Sequence, residues 1–239
     1  MSQTTVLCLG DSITRGKYSF DWVAVLSQKL VSVRFVNAGR DGELAYNARL
    51  RVDAELACRP DAVVVMLGTN DVNAVISDAN TQRYIKKAKL PQTPTLAWYE
   101  ENLRAIVGRI RASVPQARLA LMSPPVLGED LQNVANRALP DYCAVVQRVA
   151  QANDAGYLPL HEQMRGFLAA APPIVPPLPL ENGIRRPIRA ALRHFLLRQS
   201  WDTISRAYGL RLTTDNIHLN RTGGMMAARL VESFLLKQI

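Results

Sequence analysis

An uninterrupted apolar segment in the first third of the chain places the strongest constraint on the fold. Residues 62–67 read AVVVML, which is β-branched, continuous and without alternation of polar and apolar side chains. A strand of this kind is buried on both faces, as in the centre of a parallel sheet that helices cover on both sides. The segment ends at once in the polar residues Gly68, Thr69, Asn70 and Asp71.

Four other segments have strand character, and helical segments alternate with the strands. This alternation predicts an α/β fold of three α/β/α layers around a five-stranded parallel sheet, with the polar motifs gathered at the carboxyl ends of the strands. The predicted strands are 6–9, 34–36, 62–67, 117–122 and 156–160, and the predicted helices are 22–30, 44–56, 96–113, 139–152 and 222–237.

Two stretches depart from this alternation. Residues 77–95 are polar and basic with two prolines, which predicts a surface excursion with at most one short helix. Residues 171–179 contain five prolines and are predicted to be extended, and 185–209 are predicted to form one or two helices. We therefore expect a single domain over 1–239 with a helical, proline-rich insertion at about 165–210.

The positive charge is concentrated in that insertion. The chain carries a net charge of +9, and the segment from Arg165 to Arg211 contains eight arginines but only two carboxylates. An arginine face opposite an apolar face over 185–206 is typical of a helix on an anionic membrane surface or over an apolar groove. It is equally typical of a helix packed on its own domain with arginines in water. Nucleic-acid binding has less support, because no aromatic residues interleave with the arginines.

The chain gives no sign of a membrane or an oxidising compartment. No run of about 18 apolar residues occurs, and no basic segment precedes a signal-like apolar run. Cys8, Cys58 and Cys143 are odd in number and lack metal-ligand spacing, which predicts buried, reduced thiols. The expected location is the cytoplasm.

Candidate chemistry lies at Ser12 and at His218. Ser12 follows the first predicted strand and opens a helix, where unpaired backbone N–H groups surround it. A serine nucleophile needs a base, an acid that orients the base, and donors for the oxyanion. Among three histidines only His218 has an acid close by, Asp215, three residues earlier. Taken separately, Ser12 is better explained as a helix cap, and the Asp215 and His218 pair as a loop hydrogen bond.

Four blocks in chain order carry a family resemblance. With these blocks the chain resembles the SGNH hydrolase superfamily, also called the GDSL esterases and lipases, which has a flavodoxin-like fold. The resemblance covers roughly residues 5–165 and 211–237. The blocks are Gly10-Asp11-Ser12, Asn37-Ala38-Gly39, Gly68-Thr69-Asn70-Asp71 and Asp215-Asn216-Ile217-His218.

The resemblance implies a role for each block. Ser12 would be the nucleophile, His218 the base and Asp215 the residue that orients it. The backbone N–H groups of Ser12 and Gly39, with the side-chain amide of Asn70, would form the oxyanion hole. The implied reaction is hydrolysis of a small-molecule carboxylic ester through an acyl-enzyme, with no metal and no cofactor.

The substrate is less defined than the reaction. Asp11 and Arg40 are candidate substrate-binding residues. Arg40 beside the oxyanion glycine favours an acidic or phosphate-bearing ligand, or it pairs with Asp41 or Glu43. If the insertion is a lid, the substrate carries a medium or long acyl chain, as in a lipid or lysophospholipid. The alternatives are a carbohydrate O-acetylesterase, a thioesterase and a non-catalytic ligand-binding protein on the same fold.

Overall fold

The computed structural model describes residues 3–170 and 185–236 of the chain. Five strands pair in parallel in the order β2-β1-β3-β4-β5, which confirms the predicted sheet. The strands are β1 (Thr4–Gly10), β2 (Val33–Gly39), β3 (Ala62–Met66), β4 (Arg118–Met122) and β5 (Gly156–Leu158).

Helices cover both faces of the sheet. In chain order they are α1 (Ser12–Arg15), α2 (Trp22–Lys29), α3 (Ala45–Leu56), α4 (Thr69–Val75), α5 (Asp78–Ala88), α6 (Leu96–Ser113), α7 (Val134–Ala152), α8 (Leu160–Ala170), α9 (Arg185–Phe195), α10 (Trp201–Ala207) and α11 (Arg221–Leu236).

The central strand β3 is buried on both faces, as its composition predicts. Val63 and Val65 pack in the cluster that contains the apolar residues of α3, α6 and α7. Val64 and Met66 pack in the cluster that contains those of α2, α8 and α11. Successive residues of a strand point to opposite faces, so a run without polar residues supplies both cores.

The strand register brings the polar motifs to one edge of the sheet. Gly10 at the end of β1 pairs with Gly39 of β2 and with Met66 of β3. The packing around both glycines excludes a side chain. A Cβ on Gly10 would lie 2.0 Å from Thr14 Oγ1, and one on Gly39 would lie 2.2 Å from the backbone nitrogen of Arg15. Helix α1 therefore lies directly against the ends of β1 and β2.

Two predicted segments differ from the structure. Helix α7 begins at Val134 rather than at 139, because Asn133 caps it by accepting from Asn136 N–H. Pro140, which favours a first helical turn, lies inside this helix. The 77–95 excursion contains the eleven-residue helix α5, which Ser77 caps. This helix contacts the candidate site, a role that the sequence analysis did not assign to it.

The predicted insertion is partly continuous with the domain. Its first residues belong to α8, whose Met164 and Leu168 lie in the core. The proline-rich stretch 171–179 lies outside the described residues. For 185–209 the structure has two helices, α9 and α10, within the predicted range.

The structure bears on two further predictions, the burial of the cysteines and the absence of a membrane-spanning helix. Cys8 and Cys143 are buried free thiols, whereas Cys58 is only partly buried, contrary to the expectation. Within the described ranges, no helix combines the length and the apolar character that spanning a bilayer requires.

Candidate active site

Ser12 lies where β1 passes into α1. Asp11 caps this short helix, its carboxylate accepting from the N–H of Ile13 at 2.9 Å. Ser12 is the first helical residue and is only 7% exposed. Its hydroxyl lies 3.1 Å from Nε2 of His218, a residue 206 positions later in the chain.

The loop 215–218 holds Asp215 and His218 together. A bridge between Thr213 and Leu219 closes the loop, and Asn216 adopts a left-handed conformation with φ of 76°. One carboxylate oxygen of Asp215 accepts from the N–H groups of Ile217 and His218, at 3.0 and 2.8 Å. The other lies 2.7 Å from Nδ1 of the His218 ring. The loop backbone therefore fixes the carboxylate, and the carboxylate fixes the ring.

Glu129 anchors the segment that leads into this loop. Its buried carboxylate accepts from the backbone N–H groups of Arg211, Leu212 and Thr213 at 2.7 to 2.8 Å. It also accepts from the Thr213 hydroxyl at 3.0 Å. The sequence analysis did not identify Glu129. Its only sequence signal is an acidic residue shortly after the end of a predicted strand.

The surroundings of His218 shift its titration. Burial by itself would lower the pKa of the ring, but the charge and hydrogen bond of Asp215 oppose this, and Asp11 and Asp41 add to the opposition. The net effect raises the pKa above the ordinary histidine value. A raised pKa makes His218 a stronger proton acceptor when it is neutral.

The other two histidines lie elsewhere. His161 is a buried residue of α8, and burial lowers its pKa. His194 of α9 stacks on Trp201, with ring centroids 3.8 Å apart. Neither residue lines the cavity at Ser12, in agreement with the choice of His218 as the candidate base.

The side chain of Asn70 is held by three hydrogen bonds. Its Nδ2 donates to Oδ2 of Asp11 at 3.1 Å and to the carbonyl of Glu43 at 3.0 Å. Its Oδ1 accepts from the hydroxyl of Tyr84 at 2.8 Å. This pattern fixes which end of the amide is the donor. Nδ2 is held on the side of Asp11, next to Ser12 in the chain.

Tyr84 links α5 to Asn70. The hydroxyl that donates to Asn70 accepts in turn from Nδ2 of Asn73 at 3.1 Å, so it is paired on both sides. Burial raises the pKa of Tyr84 to about 12, which keeps the hydroxyl protonated as a donor. Tyr84 lies in 77–95, a stretch predicted to be a surface excursion, so the sequence assigns it no role in the site. The signal available was Ser77 as a helix cap, with Tyr84 on the apolar side of that helix.

Gly39 of the second block and Gly42, three residues later, have different surroundings. The N–H of Gly39 donates to Oδ1 of Asn37 at 3.0 Å, and Gly39 does not line the cavity at Ser12. Gly42 does line it, with φ of 74°. Among the described residues, none accepts a hydrogen bond from the Gly42 N–H. The geometry therefore brings Gly42 to the cavity and leaves Gly39 beneath α1.

Asp11 and Arg40, the candidate substrate-binding residues, have partners within the protein. Asp11 is buried, caps α1 and accepts from Asn70, and burial raises its pKa to about 7. Arg40 pairs with Glu55 at 2.9 Å rather than with Asp41 or Glu43. Neither residue lines the cavity. Asp41 does line it, and pairs with Arg15 at 2.5 Å.

A cavity of about 620 Å³ opens at Ser12 and His218. Its apolar lining comes mainly from α9, whose predicted apolar face remains about half exposed; Ile188, Leu192 and Phe195 are 48, 50 and 51% exposed. Tyr18 joins this surface to the site, with its ring 6.1 Å from Phe195 and 6.0 Å from His218. The cationic lining consists of Lys17, Arg83 and Lys87.

Solved structures of two acetylxylan esterases and a lipase/acylhydrolase have the same fold. A catalytic mutant of the acetylxylan esterase Axe2 from Geobacillus stearothermophilus has a TM-score of 0.64 and 20% identity, covering 96% of this chain and 93% of that one. The acetyl xylan esterase AlAXEase has a TM-score of 0.67 and 18% identity, covering 97% and 100%. A lipase/acylhydrolase from Enterococcus faecalis has a TM-score of 0.63 and 18% identity, covering 97% and 95%.

The sequence comparisons give a family but no individual relative. No curated protein matches the chain. A family model, the GDSL-like lipase/acylhydrolase family, matches residues 8–223 and runs through the 165–210 stretch. This match confirms the family resemblance carried by the four blocks. The chain belongs to the GDSL-like lipase/acylhydrolase family and is an ester-hydrolysing enzyme.

Proposed function

We propose that the protein is a serine esterase that hydrolyses carboxylic esters through an acyl-enzyme, with Ser12 as nucleophile, His218 as base and Asp215 as its orienting acid. One observation carries this proposal. The Ser12 hydroxyl, the His218 ring and the Asp215 carboxylate are joined by contacts of 3.1 and 2.7 Å at the mouth of a cavity. This is the nucleophile, base and acid arrangement of a catalytic triad.

The reaction follows from these positions. Nε2 of His218 takes the hydroxyl proton as the Ser12 oxygen attacks the ester carbon, and the carbonyl electrons move onto oxygen. Collapse of this intermediate breaks the ester bond, and the leaving alcohol takes the proton from His218. Water then repeats the sequence on the acyl-enzyme, which releases the acid and restores Ser12.

We place the oxyanion donors at the backbone N–H groups of Ser12 and Gly42 and at the Nδ2 of Asn70. Gly42 replaces Gly39 in this assignment, since the Gly39 N–H is already bonded to Asn37. Both Nδ2 hydrogens of Asn70 have partners in the unliganded protein. The oxyanion shares one of them in a three-centre bond, as often occurs in proteins.

The solved acetylxylan esterase supports the same trio. Structures of Axe2 described as catalytic mutants carry alanine in place of a serine, an aspartate or a histidine. In that protein the aspartate precedes the histidine by three residues, the spacing of Asp215 and His218 here.

We propose that the acyl group lies along α9 and is of medium or long chain length. Ile188, Leu192 and Phe195 line the cavity and remain about half exposed, so an acyl chain would cover apolar surface that the protein leaves open. In this arrangement α9 acts as a lid over the site. The competing assignment is a carbohydrate O-acetylesterase, which the likeness to two acetylxylan esterases supports.

A chain-length series separates the two. The measurement is kcat/KM for p-nitrophenyl esters from acetate to decanoate and for an acetylated xylo-oligosaccharide, with wild type, Leu192→Ser and Leu197→Ser. Leu197 is a matched control, because it is exposed on the same stretch but does not line the cavity. We expect kcat/KM to rise with chain length, and Leu192→Ser to lower it about tenfold for decanoate only, as lost burial of one leucine would.

The opposite result would favour the acetylesterase. A preference for acetate or the xylo-oligosaccharide, with equal losses of kcat/KM for all esters in Leu192→Ser, would exclude α9 as the surface that binds the acyl chain. Adding vesicles of anionic or neutral lipid as substrate tests the predicted membrane surface. Faster hydrolysis on anionic vesicles than on neutral ones is the expected result for an arginine-bearing helix at the interface.

A further inference from the structure

Three cations line the cavity next to Ser12. Within the described ranges, Lys17, Arg83 and Lys87 form no ion pair with aspartate or glutamate. Asp41 is the carboxylate in the described lining, and it is paired with Arg15 outside the cavity. The lining therefore carries an excess of positive charge next to Ser12.

The position of Lys87 is close to the reacting centre. Its Nζ lies 3.6 Å from the point that a Cβ on Gly42 would occupy, and Gly42 lines the cavity together with Ser12. Arg83 lies one helical turn earlier on α5, with its guanidinium 5.3 Å from the ring of Tyr84, the residue that holds Asn70. Lys87 is thus next to Gly42, one of the proposed oxyanion donors, and Arg83 lies beside the tyrosine that holds Asn70.

This spacing is unfavourable for the helix itself. Residues four apart lie on the same helical face, and like charges at this spacing destabilise a helix. Neither cation of α5 is offset by a carboxylate among the described residues. The repulsion between Arg83 and Lys87 lowers the stability of α5, and their charges make the electrostatic potential of the cavity more positive. A bound anion would be attracted by both charges and would offset their repulsion.

We propose that Lys87, Arg83 and Lys17 form an anion-binding subsite, and that the natural ester carries a phosphate or carboxylate group near its ester bond. This inference rests on the proposed esterase function. It gives the charged group a different site from the one the sequence suggested, since Arg40 is paired with Glu55 outside the cavity. Together with the apolar surface of α9, it describes an amphiphilic, anionic substrate.

Two pairs of esters test the charge and locate it. The first pair is 1-hexanoylglycerol and 1-hexanoylglycerol 3-phosphate, which differ by a phosphate on the alcohol. The second is p-nitrophenyl hexanoate and the mono-p-nitrophenyl ester of adipic acid, which differ by a carboxylate on the acyl chain. The readout is the ratio of kcat/KM for the anionic member to that for the neutral member. The first pair reports a phosphate source and the second a carboxylate source.

The variants are Lys87→Gln and Lys86→Gln. Both remove one positive charge from the last turn of α5, but Lys86 does not line the cavity, so effects through the helix dipole are matched. We expect a ratio well above one in at least one pair and a fall of about tenfold in Lys87→Gln, the size of one charge-assisted contact. Lys86→Gln should keep the ratio, and higher ionic strength should lower it in wild type.

The results that would overturn the anion-binding subsite differ from those that would overturn the proposed esterase function. Ratios near one in both pairs, or equal falls in Lys86→Gln and Lys87→Gln, would overturn the subsite while hydrolysis of the neutral esters still upheld the esterase. If neither neutral nor anionic ester is hydrolysed, calorimetric titration of 1-hexanoylglycerol 3-phosphate into wild type and Lys87→Gln decides. Binding that weakens about tenfold in the variant upholds the subsite, and unchanged or absent binding overturns it.

Discussion

Replacing Asn70 with alanine removes a carboxamide that makes three hydrogen bonds next to the candidate nucleophile. The lost partners are Oδ2 of Asp11, the carbonyl of Glu43 and the hydroxyl of Tyr84. Two separate effects follow, one on the reaction and one on the fold. They differ in their dependence on pH and in the variant that reproduces them.

The effect on the reaction follows from the proposed role of Asn70 as an oxyanion donor. Removal of one such donor costs about 100- to 1,000-fold in kcat, or about 2.7–4 kcal/mol. Asn70 already shares its Nδ2 with Asp11 and Glu43, so we expect the lower end, about 100-fold. The Michaelis constant should change little, because the amide bonds the transition state more strongly than the ground-state carbonyl.

The effect on the fold comes from buried groups that lose a partner. Asp11 and Tyr84 are buried, whereas Glu43 is only partly buried. Two groups at about 1–2 kcal/mol each give a loss of about 2–4 kcal/mol in the free energy of unfolding. For a domain of this size that lowers the Tm by roughly 4–16 °C.

The stability effect should depend on pH. The folded-state pKa of Asp11 is about 7, above its unfolded value, because of burial. Loss of the Asn70 donor raises it further, since that bond favours the charged form. Below pH 7 Asp11 is protonated in both proteins and this part of the difference vanishes. As pH rises through 7 the variant loses more stability than wild type.

Steady-state kinetics on p-nitrophenyl hexanoate and thermal unfolding at pH 6 and pH 8 measure the two effects. Asn73→Ala is the control, because it removes a partner of Tyr84 and leaves Asn70 in place. We expect a lower Tm for the control with kcat within a few fold of wild type. A folded Asn70→Ala protein with kcat within threefold of wild type would refute the oxyanion role and leave Asn70 a structural residue.

Four further predictions concern the serine, the histidine, the acid and the loop anchor. Ser12→Ala should lower p-nitrophenyl acetate hydrolysis by several orders of magnitude at an unchanged Tm, and substantial remaining activity would exclude Ser12 as nucleophile. In wild type, kcat/KM should rise with pH through a midpoint above about 6.5, where His218 becomes neutral. Asp215→Asn should reduce the rate by up to ~10,000-fold and move that midpoint to lower pH, and an unmoved midpoint would contradict the charge argument. Glu129→Gln should lower the free energy of unfolding, measured with urea, by about 1–3 kcal/mol, because a side-chain amide N–H then faces a backbone N–H. An unchanged urea midpoint would show that the carboxylate is not needed to anchor the loop.

The sheet and the contact between Asp215 and His218 were predictable because local sequence encodes both, whereas the pairing of His218 with Ser12 was implied by the family resemblance. A continuous apolar run such as 62–67 can be satisfied only by burial on two faces, and the polar residues after each strand must then meet at one edge. The register confirms this, since Gly10 pairs with both Gly39 and Met66. The aspartate and histidine of the last block lie in one short loop, so their contact needed no knowledge of the rest of the fold.

The parts that sequence reasoning missed depend on distant contacts. Glu129 supports backbone groups more than 80 residues away, and no local pattern in its own segment indicates this. Tyr84 reaches Asn70 only because α5 packs over the site. The sequence suggested its neighbours Asp41 or Glu43 as partners of Arg40. The observed partner is Glu55, at the far end of α3.

The glycine assignment shows the same limit at short range. Gly39 and Gly42 are three residues apart, and both suit a close approach of the backbone. The choice between them rests on Asn37, whose side chain takes the Gly39 N–H, and on α1, which lies against Gly39. Neither contact can be inferred from the order of residues alone.

The long separation of Ser12 and His218 has a consequence for how activity is gained and lost. Every strand of the sheet comes from the chain up to Leu158, whereas His218 comes from the segment that ends in α11. That segment is joined to the rest near the site by the bonds of Phe20 N–H and the Ser19 hydroxyl to the Leu219 carbonyl. Two polypeptides, divided within 171–184, would each lack one member of the proposed Ser12 and His218 pair and should be inactive alone. Their mixture should regain esterase turnover as they associate, so the enzyme is suited to fragment complementation, with its own reaction as the reporter.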